Sequence, residues 1–405
     1  MIKSILLLLS SSLLSSLLTF ITQAYIANQL NPNDFGEFSS SLALVMLLVP
    51  FVAMGADSYL LKIYADKKGN TSEYNSFWIA YFIFTLILSI LIYTIFNTTS
   101  SSSIILVSIL ASQALINYIS AIYQTKSKYK KLSLIQALQS FFRFFTLIIL
   151  SYAFELNINL VYYSYFFVSI LIIIICIILI IKESNFIAIK NIKNIKLYFF
   201  QAIPFGLTPL LHLIYFQSDI ILIDRLYSST EAGFYSAAFM LITASYILPA
   251  VIYQKYLLPY IHILNANNDI TNEFKIFKTG AFTILPISII IFLIYYFLSP
   301  YIVLVIFGEA YKKTQEIMLI LSVCIIFRYL SSHVGLFLTA GNLIKVKNKN
   351  MLLCAIINIL LNVIFIPSFG SIAAAYITVI TEILLLLMFF YSFYIFKIKR
   401  FYVIK

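Results

Sequence analysis

The sequence predicts an all-α membrane protein with twelve transmembrane helices, arranged as two related halves of six. Of the 405 residues, 62% are hydrophobic and 10% are charged, and the mean hydropathy is +0.99. Apolar runs long enough to cross about 30 Å of hydrocarbon recur along the whole chain. Two short stretches half a chain apart, Leu30–Ser39 and Leu226–Ser236, share Leu, Gly, an aromatic residue and Ser. Composition and repetition together predict this architecture.

Composition also excludes several classes of protein. A soluble domain of this length could not bury so much apolar surface. The net charge of +12 is spread over short loops, so we expect no nucleic-acid partner. Cys176, Cys324 and Cys354 lie in apolar runs without ligand spacing, which argues against disulfides and metal sites. The sequence has no phosphate-cradling G-x-x-x-x-G-K-[ST] motif, and we expect no cofactor.

The apolar runs place the helices and the boundary between the halves. The predicted spans are residues 4–30, 37–62, 75–97, 103–125, 131–153 and 158–181, followed by 198–226, 232–258, 279–305, 314–340, 350–366 and 371–396. We therefore expect an N-terminal lobe over 1–181 and a C-terminal lobe over 198–405. Lysine and isoleucine stripes in the 182–197 linker fit either an amphipathic helix on the cytoplasmic leaflet or a plain basic linker.

The first apolar run has a second interpretation. Residues 1–24 combine Lys3, a Leu/Ser-rich run and a weak cleavage pattern ending at Ala24, which is typical of a signal peptide. The run is also the repeat partner of the helix that ends at Leu226. We therefore interpret it as the first transmembrane helix.

Basic residues predict the orientation. With the N-terminus inside, 22 of the 27 Lys and Arg residues fall in cytoplasmic segments and three fall in outside loops. Cytoplasmic loops of membrane proteins are enriched in these residues, so we expect both termini to be cytoplasmic. Because six helices per half is an even number, both halves enter the membrane in the same direction. That relation corresponds to a parallel repeat with an axis along the membrane normal.

Polar side chains at helical spacing mark helix faces that turn away from lipid. The candidates for lining a polar cavity are Gln113, Asn117 and Gln124 on the fourth predicted helix, Gln136 on the fifth, His212 on the seventh, His333 on the tenth and Asn358 on the eleventh. Either histidine fits a hydrogen-bonded structural role as well as a titrating one. For Ser and Thr alone, hydrogen bonding between helices is the simpler explanation.

Five charged side chains lie at membrane depth, away from the ends of the predicted spans: Arg143, Arg328, Asp57, Asp219 and Glu382. Burying a charge in the membrane costs at least about 2.5 kcal/mol, so each must face protein or a wet cavity. Arginine suits an anionic ligand, and a carboxylate suits a proton or a cation. The alternative is a structural ion pair, such as Arg328 with Glu382.

Short motifs spread over most of the chain carry a family resemblance. They are Leu30–Ser39, Gly55-Ala56-Asp57, Ala202-Ile203-Pro204, Asp219 with Ala232–Ser236, Ile306–Tyr311, Asn358–Asn362, Pro367–Gly370 and Ala373–Ala375. In their order and spacing the chain resembles the O-antigen flippase branch of the multidrug/oligosaccharidyl-lipid/polysaccharide (MOP) superfamily. Ala373 departs from the pattern, because glycine is expected there, and helix packing at that point is expected to be looser.

The resemblance implies two six-helix lobes that form a V-shaped central cavity and work by alternating access. It implies a transporter and not an enzyme, which moves an undecaprenyl-diphosphate-linked oligosaccharide to the outer leaflet of the bacterial inner membrane. Its partners would be this substrate, membrane lipids, and polysaccharide polymerase and chain-length regulator proteins. Arg143 and Arg328 would then bind the diphosphate, with the amides and histidines above lining the substrate path, and Asp57, Asp219 and Glu382 would couple transport to an ion.

Other functions make different predictions. A drug or ion exporter of the same superfamily would favour acids over arginines in the cavity. An oligosaccharide polymerase or ligase resembles other such enzymes in carrying a large outside loop, and every loop here is short. A sugar transporter of the major facilitator type would have a Gly-x-x-x-Asp-Arg loop, which residues 62–69 do not match. The flippase interpretation fits the residues best.

Overall fold

The computed structural model describes residues 2–53, 59–60, 63–64, 71–96, 101–185, 192–250, 252–253, 257–267, 269–340 and 343–398. Within these ranges it is helical and contains no strand. The α-helices are α1 (Ile2–Gln29), α2 (Pro32–Ala53), α3 (Thr71–Phe96), α4 (Ser108–Thr125), α5 (Tyr129–Ala153), α6 (Ile158–Glu183), α7 (Ile192–Leu226), α8 (Ser229–Ser245), α9 (Ile247–Ala250), α10 (Leu258–Ala266), α11 (Ile270–Phe307), α12 (Thr314–Ala340) and α13 (Ile344–Phe393). Short 3₁₀ turns occupy Ser101–Val107 and Glu309–Tyr311, and a π-helical turn occupies Tyr394–Ile398.

The structure confirms the all-α prediction. Among the described residues, eight helical stretches are long and apolar enough to cross a membrane. The last of them, 344–396, has 53 residues, which at 1.5 Å per residue corresponds to about 80 Å and to two membrane crossings. It is divided at Gly370, where φ is 61° and ψ is −143°. Only glycine adopts this conformation readily, so the predicted break between the last two spans is a kink inside α13.

The eighth predicted span, 232–258, is interrupted in the structure. α8 ends at Ser245, and the short helix α9 begins at Ile247. Pro249 has no backbone N–H to donate to the Ser245 carbonyl, which explains why the helix breaks here. The hydroxyl of Tyr329 donates a hydrogen bond to that carbonyl over 2.7 Å. A side chain of α12 therefore supplies the hydrogen bond to the Ser245 carbonyl that Pro249 cannot donate.

The chain folds as two compact units. The N-terminal unit comprises Met1–Leu30 and Glu37–Gln217, and the C-terminal unit comprises Asn31–Gly36 and Ser218–Lys405. The division between the units falls inside α7. The sequence placed the boundary earlier, in the 182–197 linker, of which residues 186–191 lie outside the described part of the chain.

An aromatic core anchors the start of α7 in the N-terminal unit. Tyr74 packs edge-on against Tyr59 and Tyr198, with ring centroids 5.1 Å and 5.7 Å apart. The Tyr198 hydroxyl donates to a Glu73 carboxylate oxygen over 3.3 Å, and the Tyr59 hydroxyl donates to the Gln201 side chain over 2.6 Å. The first turns of α7 are thus fixed to α3 by both apolar and polar contacts.

Three lysines surround Glu183 at the end of α6. The ammonium groups of Lys126, Lys128 and Lys131 lie 3.0, 2.6 and 3.4 Å from its carboxylate oxygens, and the Glu183 side chain is 6% exposed. The cluster ties the α4–α5 turn to the last turn of α6. It leaves an excess of positive charge on the predicted cytoplasmic side.

The two repeat stretches cross each other within the C-terminal unit. A Cβ atom at Gly36, near the start of α2, would lie 1.7 Å from the carbonyl oxygen of Ser229. A Cβ atom at Gly233, near the start of α8, would lie 2.0 Å from the carbonyl oxygen of Pro32. Gly36 and Gly233 are 197 residues apart, and so are Pro32 and Ser229. The two contacts are therefore equivalent, as a twofold relation between the repeats requires.

The same relation governs how the two helices begin. The Asn31 side chain caps α2 by accepting a hydrogen bond from the backbone N–H of Asp34 over 2.9 Å. The Ser228 hydroxyl caps α8 by accepting from the backbone N–H of Glu231 over 3.3 Å. Each cap has an acidic residue three positions later, where the carboxylate favours the helix N-terminus. The repeat seen in the sequence is thus present in the geometry.

Candidate functional site

Asp219 on α7 lies at the centre of a buried group of oxygen atoms. It is 1% exposed. Tyr235 on α8 and Thr378 on α13 each donate to its Oδ2 atom over 2.8 Å, and Asn362 on α13 donates to Oδ1 over 2.7 Å. Among the described residues, no Lys or Arg lies within ion-pair distance of this carboxylate. Only neutral groups therefore offset the cost of burying its charge.

Thr378 limits how well that charge can be satisfied. Its hydroxyl has a single proton but lies within 3.0 Å of Asp219, the Tyr235 hydroxyl and the carbonyl oxygen of Ala374. The hydroxyl protons of Thr378 and Tyr235 are thus fewer than the oxygen atoms of the cluster that could accept them. Such a cluster has room in its hydrogen bonding for one added proton, or for a small cation bound by oxygen.

Two asparagines on α13 complete this group. Asn362 donates to the side-chain oxygen of Asn358 over 3.0 Å, and Asn358 lies 3.4 Å from the hydroxyl of Thr381. Asn358 and Asn362 are both fully buried. The side-chain oxygen of Asn362 is buried without a hydrogen-bond partner in the described structure. It is a further oxygen ligand available beside Asp219.

Arg328 on α12 pairs with Glu382 on α13. Its Nη1 atom lies 3.6 Å from Glu382 Oε1, and the side chains are 15% and 2% exposed. The guanidinium also lies 5.8 Å from the ring centroid of Tyr246. The structure therefore contains the ion pair that the sequence offered as the alternative to substrate binding, and the charge of Arg328 is neutralised within its own unit.

Arg143 on α5 has a different environment. Its guanidinium lies 4.7 Å from the ring centroid of Tyr165 on α6, within cation–π distance. Its Nε and Nη2 atoms are buried and have no hydrogen-bond partner in the described structure. No described carboxylate lies within ion-pair distance of it. Arg143 thus carries a positive charge and two donor nitrogens for which the described residues supply no hydrogen-bond acceptor.

The amide side chains predicted for the same unit are partly buried. They are Gln113, Asn117 and Gln124 on α4 and Gln136 on α5. Gln113 donates to Asn117 over 3.3 Å, so these two residues form one polar pair along α4.

Part of the predicted polar face is used in packing. The Ser15 hydroxyl on α1 donates to the backbone carbonyl of Gln136 on α5 over 3.2 Å. One turn later, the hydroxyls of Thr19 and Ser140 lie 3.0 Å apart. These contacts are the interhelical hydrogen bonds that the sequence offered as the simpler explanation for Ser and Thr.

His333 on α12 is held in an aromatic setting. Its Nε2 atom lies 2.9 Å from the carbonyl oxygen of Phe277, and its ring stacks on the Phe277 ring with centroids 5.2 Å apart. The ring also covers Gly280, where a Cβ atom would lie 2.5 Å from its Cε1 atom. The histidine therefore fills the space that this glycine leaves. Asp57 and the side chain of His212 lie outside the described part of the chain.

Tyr235 and Thr378 are the functional candidates to which the sequence analysis assigned no role. Asn362 follows Asn358 by four residues, which puts both on one helix face, and Tyr235 belongs to the second repeat stretch. The spacing of the two asparagines was a usable signal, but nothing in the sequence linked Asn362 or Thr378, which are 143 and 159 residues away, to Asp219.

Comparison with known proteins identifies the family. Residues 1–264, well over half of the chain, match the family described as polysaccharide biosynthesis protein. No curated protein matches the chain.

Several solved structures share the fold. A structure of the lipid II flippase MurJ in an inward closed conformation superposes with a TM-score of 0.74 at 19% identity, covering 96% of this chain and 87% of that one. An inward-facing multidrug resistance MATE transporter of the MOP superfamily gives 0.70 at 11% identity, with 93% of each chain covered. A MOP superfamily transporter from Pyrococcus furiosus gives 0.64 at 10% identity, covering 96% and 94%. The chain is therefore a multi-pass membrane protein that belongs to the polysaccharide biosynthesis protein family and has the fold of the MOP superfamily.

Proposed function

We propose that this protein is a flippase for a lipid-linked oligosaccharide with a diphosphate headgroup. The substrate would be an undecaprenyl-diphosphate-linked O-antigen unit or another surface polysaccharide unit, moved from the cytoplasmic to the outer leaflet of the bacterial inner membrane. Membership of the polysaccharide biosynthesis family and the fold shared with a lipid II flippase support this proposal.

Arg143 is the observation that carries the proposal. Two buried guanidinium nitrogens without an acceptor among the described residues are costly unless a ligand supplies one. A diphosphate supplies charged oxygens in the spacing that the planar fork of arginine binds best. Stacking on Tyr165 keeps the guanidinium plane in a defined orientation. Arg143 is accordingly our candidate for binding the headgroup.

The amides of α4 and α5 are our candidates for contacts to the sugars. Gln113, Asn117, Gln124 and Gln136 offer both donors and acceptors, are partly buried, and belong to the same unit as Arg143. Hydroxyl-rich sugars need such groups when they cross a membrane, whereas the lipid tail can stay in hydrocarbon.

We assign ion coupling to Asp219 first. The oxygen cluster around it can take up one proton or one small monovalent cation, and it connects α7, α8 and α13. Binding would neutralise the carboxylate and hold the three helices together, so an ion gradient could bias one conformation. Glu382 is a weaker candidate because Arg328 already neutralises it. Asp57 stays a candidate from the sequence alone.

The orientation and partners follow from the same proposal. Both termini would be cytoplasmic, and the protein would pass its product to a polysaccharide polymerase, with a chain-length regulator beside it. It would not be an enzyme, because flipping neither forms nor breaks a covalent bond in the substrate.

An exporter of cationic drugs is the second candidate, since several structures with this fold are multidrug transporters. A cationic drug would need an acid that it can reach. Asp219 is 1% exposed and closely surrounded by side chains, which suits a bare ion better than a drug.

The test uses cells that lack the gene and carry plasmid copies. We expect Arg143→Ala to abolish surface glycan while lipid-linked units accumulate inside, with Arg143→Lys intermediate because it keeps charge without the planar fork. Lys130→Ala, at an exposed lysine, is the matched control and should behave like the parent. Normal surface glycan from a well-expressed Arg143→Ala protein would refute the assignment.

A further inference from the structure

We propose that Lys347 is the phosphate-binding cation of the C-terminal unit, and that it takes an anionic lipid headgroup on the cytoplasmic side. This inference rests on the proposed function, since it names a substrate contact that the sequence analysis did not. Lys347 was counted there only as one of the cytoplasmic loop charges that set the orientation.

Lys347 differs from its neighbours in being held in place. It lies in the first turns of α13, and its ammonium donates to the Thr339 hydroxyl on α12 over 2.9 Å. Its alkyl stem passes Gly335, where a Cβ atom would lie 3.6 Å from Lys347 Cε. Lys345 and Lys349 on either side are exposed, whereas Lys347 is partly buried. Helix α12 thus holds the Lys347 ammonium in place, whereas Lys345 and Lys349 extend into solvent.

The charge of Lys347 is not balanced by the described structure. No described carboxylate lies within ion-pair distance of its ammonium, which has one hydroxyl partner for three donors. The N-terminal end of α13 contributes partial positive charge as well. The Lys347 ammonium and the helix N-terminus both make the local potential more positive, and a bound anion would offset both.

A phosphate group is the anion that fits best. Helix N-termini and lysine ammonium groups are both established phosphate ligands in proteins. On the predicted topology Lys347 lies at the cytoplasmic surface, where lipid headgroups are found. Among the described, partly buried cations of the C-terminal unit, Lys347 is the one without a carboxylate at ion-pair distance, because Arg225, Lys313 and Arg328 each have one. It parallels Arg143 in the N-terminal unit, which also has no described counter-ion.

The test measures binding to the purified full-length protein in lipid nanodiscs. The probes are farnesyl diphosphate, farnesol and phosphatidylglycerol, and the variants are Lys347→Gln, Lys347→Arg and the exposed control Lys345→Gln. We expect Lys347→Gln to weaken farnesyl diphosphate binding about tenfold or more, the loss of one charged hydrogen bond. Lys347→Arg should retain most of the affinity, and Lys345→Gln and farnesol binding should not change.

The combination of probes and variants distinguishes the possible explanations. Equal affinity of Lys347→Gln and the parent for both phosphate lipids would overturn the inference. A loss of phosphatidylglycerol affinity alone would support a phosphate site occupied by bulk phospholipid. A purely structural role predicts that Lys347→Gln and Thr339→Val lower the melting temperature equally and leave binding unchanged, which also overturns it. If the parent binds phosphatidylglycerol but no diphosphate, the proposed function fails while the Lys347 site is still tested by the phospholipid.

Discussion

Asn362 and Asp219, which are 143 residues apart, are joined by a hydrogen bond of 2.7 Å between the amide nitrogen and the carboxylate. The bond connects α13 to α7 at a point where neither side chain contacts solvent. A proton or cation taken up at Asp219 would therefore alter a contact between two helices of the C-terminal unit.

Asp219→Asn removes the titratable group and keeps its size. We expect transport to lose its dependence on proton or sodium gradients and to slow by about 5- to 150-fold, the range of typical coupling energies. Initial rates across a range of pH and sodium concentrations give the measurement. Asp269→Asn is the control, because Asp269 caps α11 outside this cluster and asparagine caps equally well. Unchanged gradient dependence in Asp219→Asn would make the acid structural.

Arg328→Met should reduce protein abundance more than it reduces activity per molecule. The change leaves Glu382, 1% exposed, as a buried charge without its cation, and breaking such a pair costs about 3–5 kcal/mol. Adding Glu382→Gln should restore most of the abundance, because both charges are then gone. Membrane-fraction blots beside surface-glycan assays separate the two effects. Normal abundance with no transport in Arg328→Met would instead indicate substrate binding.

Gly36→Ala and Gly233→Ala should each destabilise the C-terminal unit to a similar extent. Each added methyl group meets a backbone carbonyl at the helix crossing, and overpacking of this kind costs about 1–3 kcal/mol. Asn33 and Thr230, also related by the repeat, hydrogen-bond across the same crossing over 3.3 Å. Thermal unfolding in detergent is the measurement. Because both substitutions separate the same pair of helices, the double variant should lose less stability than the sum of the two single losses. Strictly additive losses would contradict a shared crossing of α2 and α8.

Substituted cysteines test the orientation. The native cysteines Cys176, Cys324 and Cys354 are buried, so background labelling should be low. Cysteine at the exposed positions 155 and 312 should react with an impermeant reagent in intact cells, and cysteine at 130 and 345 only after lysis. Reaction of position 130 or 345 in intact cells would break the twelve-helix topology.

The helices were predictable because each depends on local sequence. Apolar runs and polar turns located them, and the Pro367–Gly370 motif marked the position where α13 kinks. Pro249 was visible too, but a break within an apolar run does not alter its hydropathy, so the interruption after Ser245 was missed. The repeat was recognised from its residues, whereas the crossing of Gly36 and Gly233 required the fold.

The site was only partly predictable, for a physical reason. A carboxylate in an apolar helix is conspicuous, so Asp219 was identified from the sequence alone. Its donors Tyr235 and Thr378 are ordinary residues whose role depends on contacts 16 and 159 residues away. Lys347 was missed because a lysine near a helix end is usually solvated. Its partly buried position and its contact with Thr339 become visible only in three dimensions.

Transport by the purified protein in proteoliposomes tests the central claim most directly. A fluorescent polyprenyl-diphosphate oligosaccharide is placed in one leaflet, and its arrival in the other leaflet is followed with an impermeant quencher. We predict that the parent accelerates transfer over protein-free vesicles, that Arg143→Ala does not, and that the corresponding uncharged polyprenol-linked sugar is not accelerated. Transfer no faster than in protein-free vesicles, from folded parent protein under imposed proton and sodium gradients, would contradict the account.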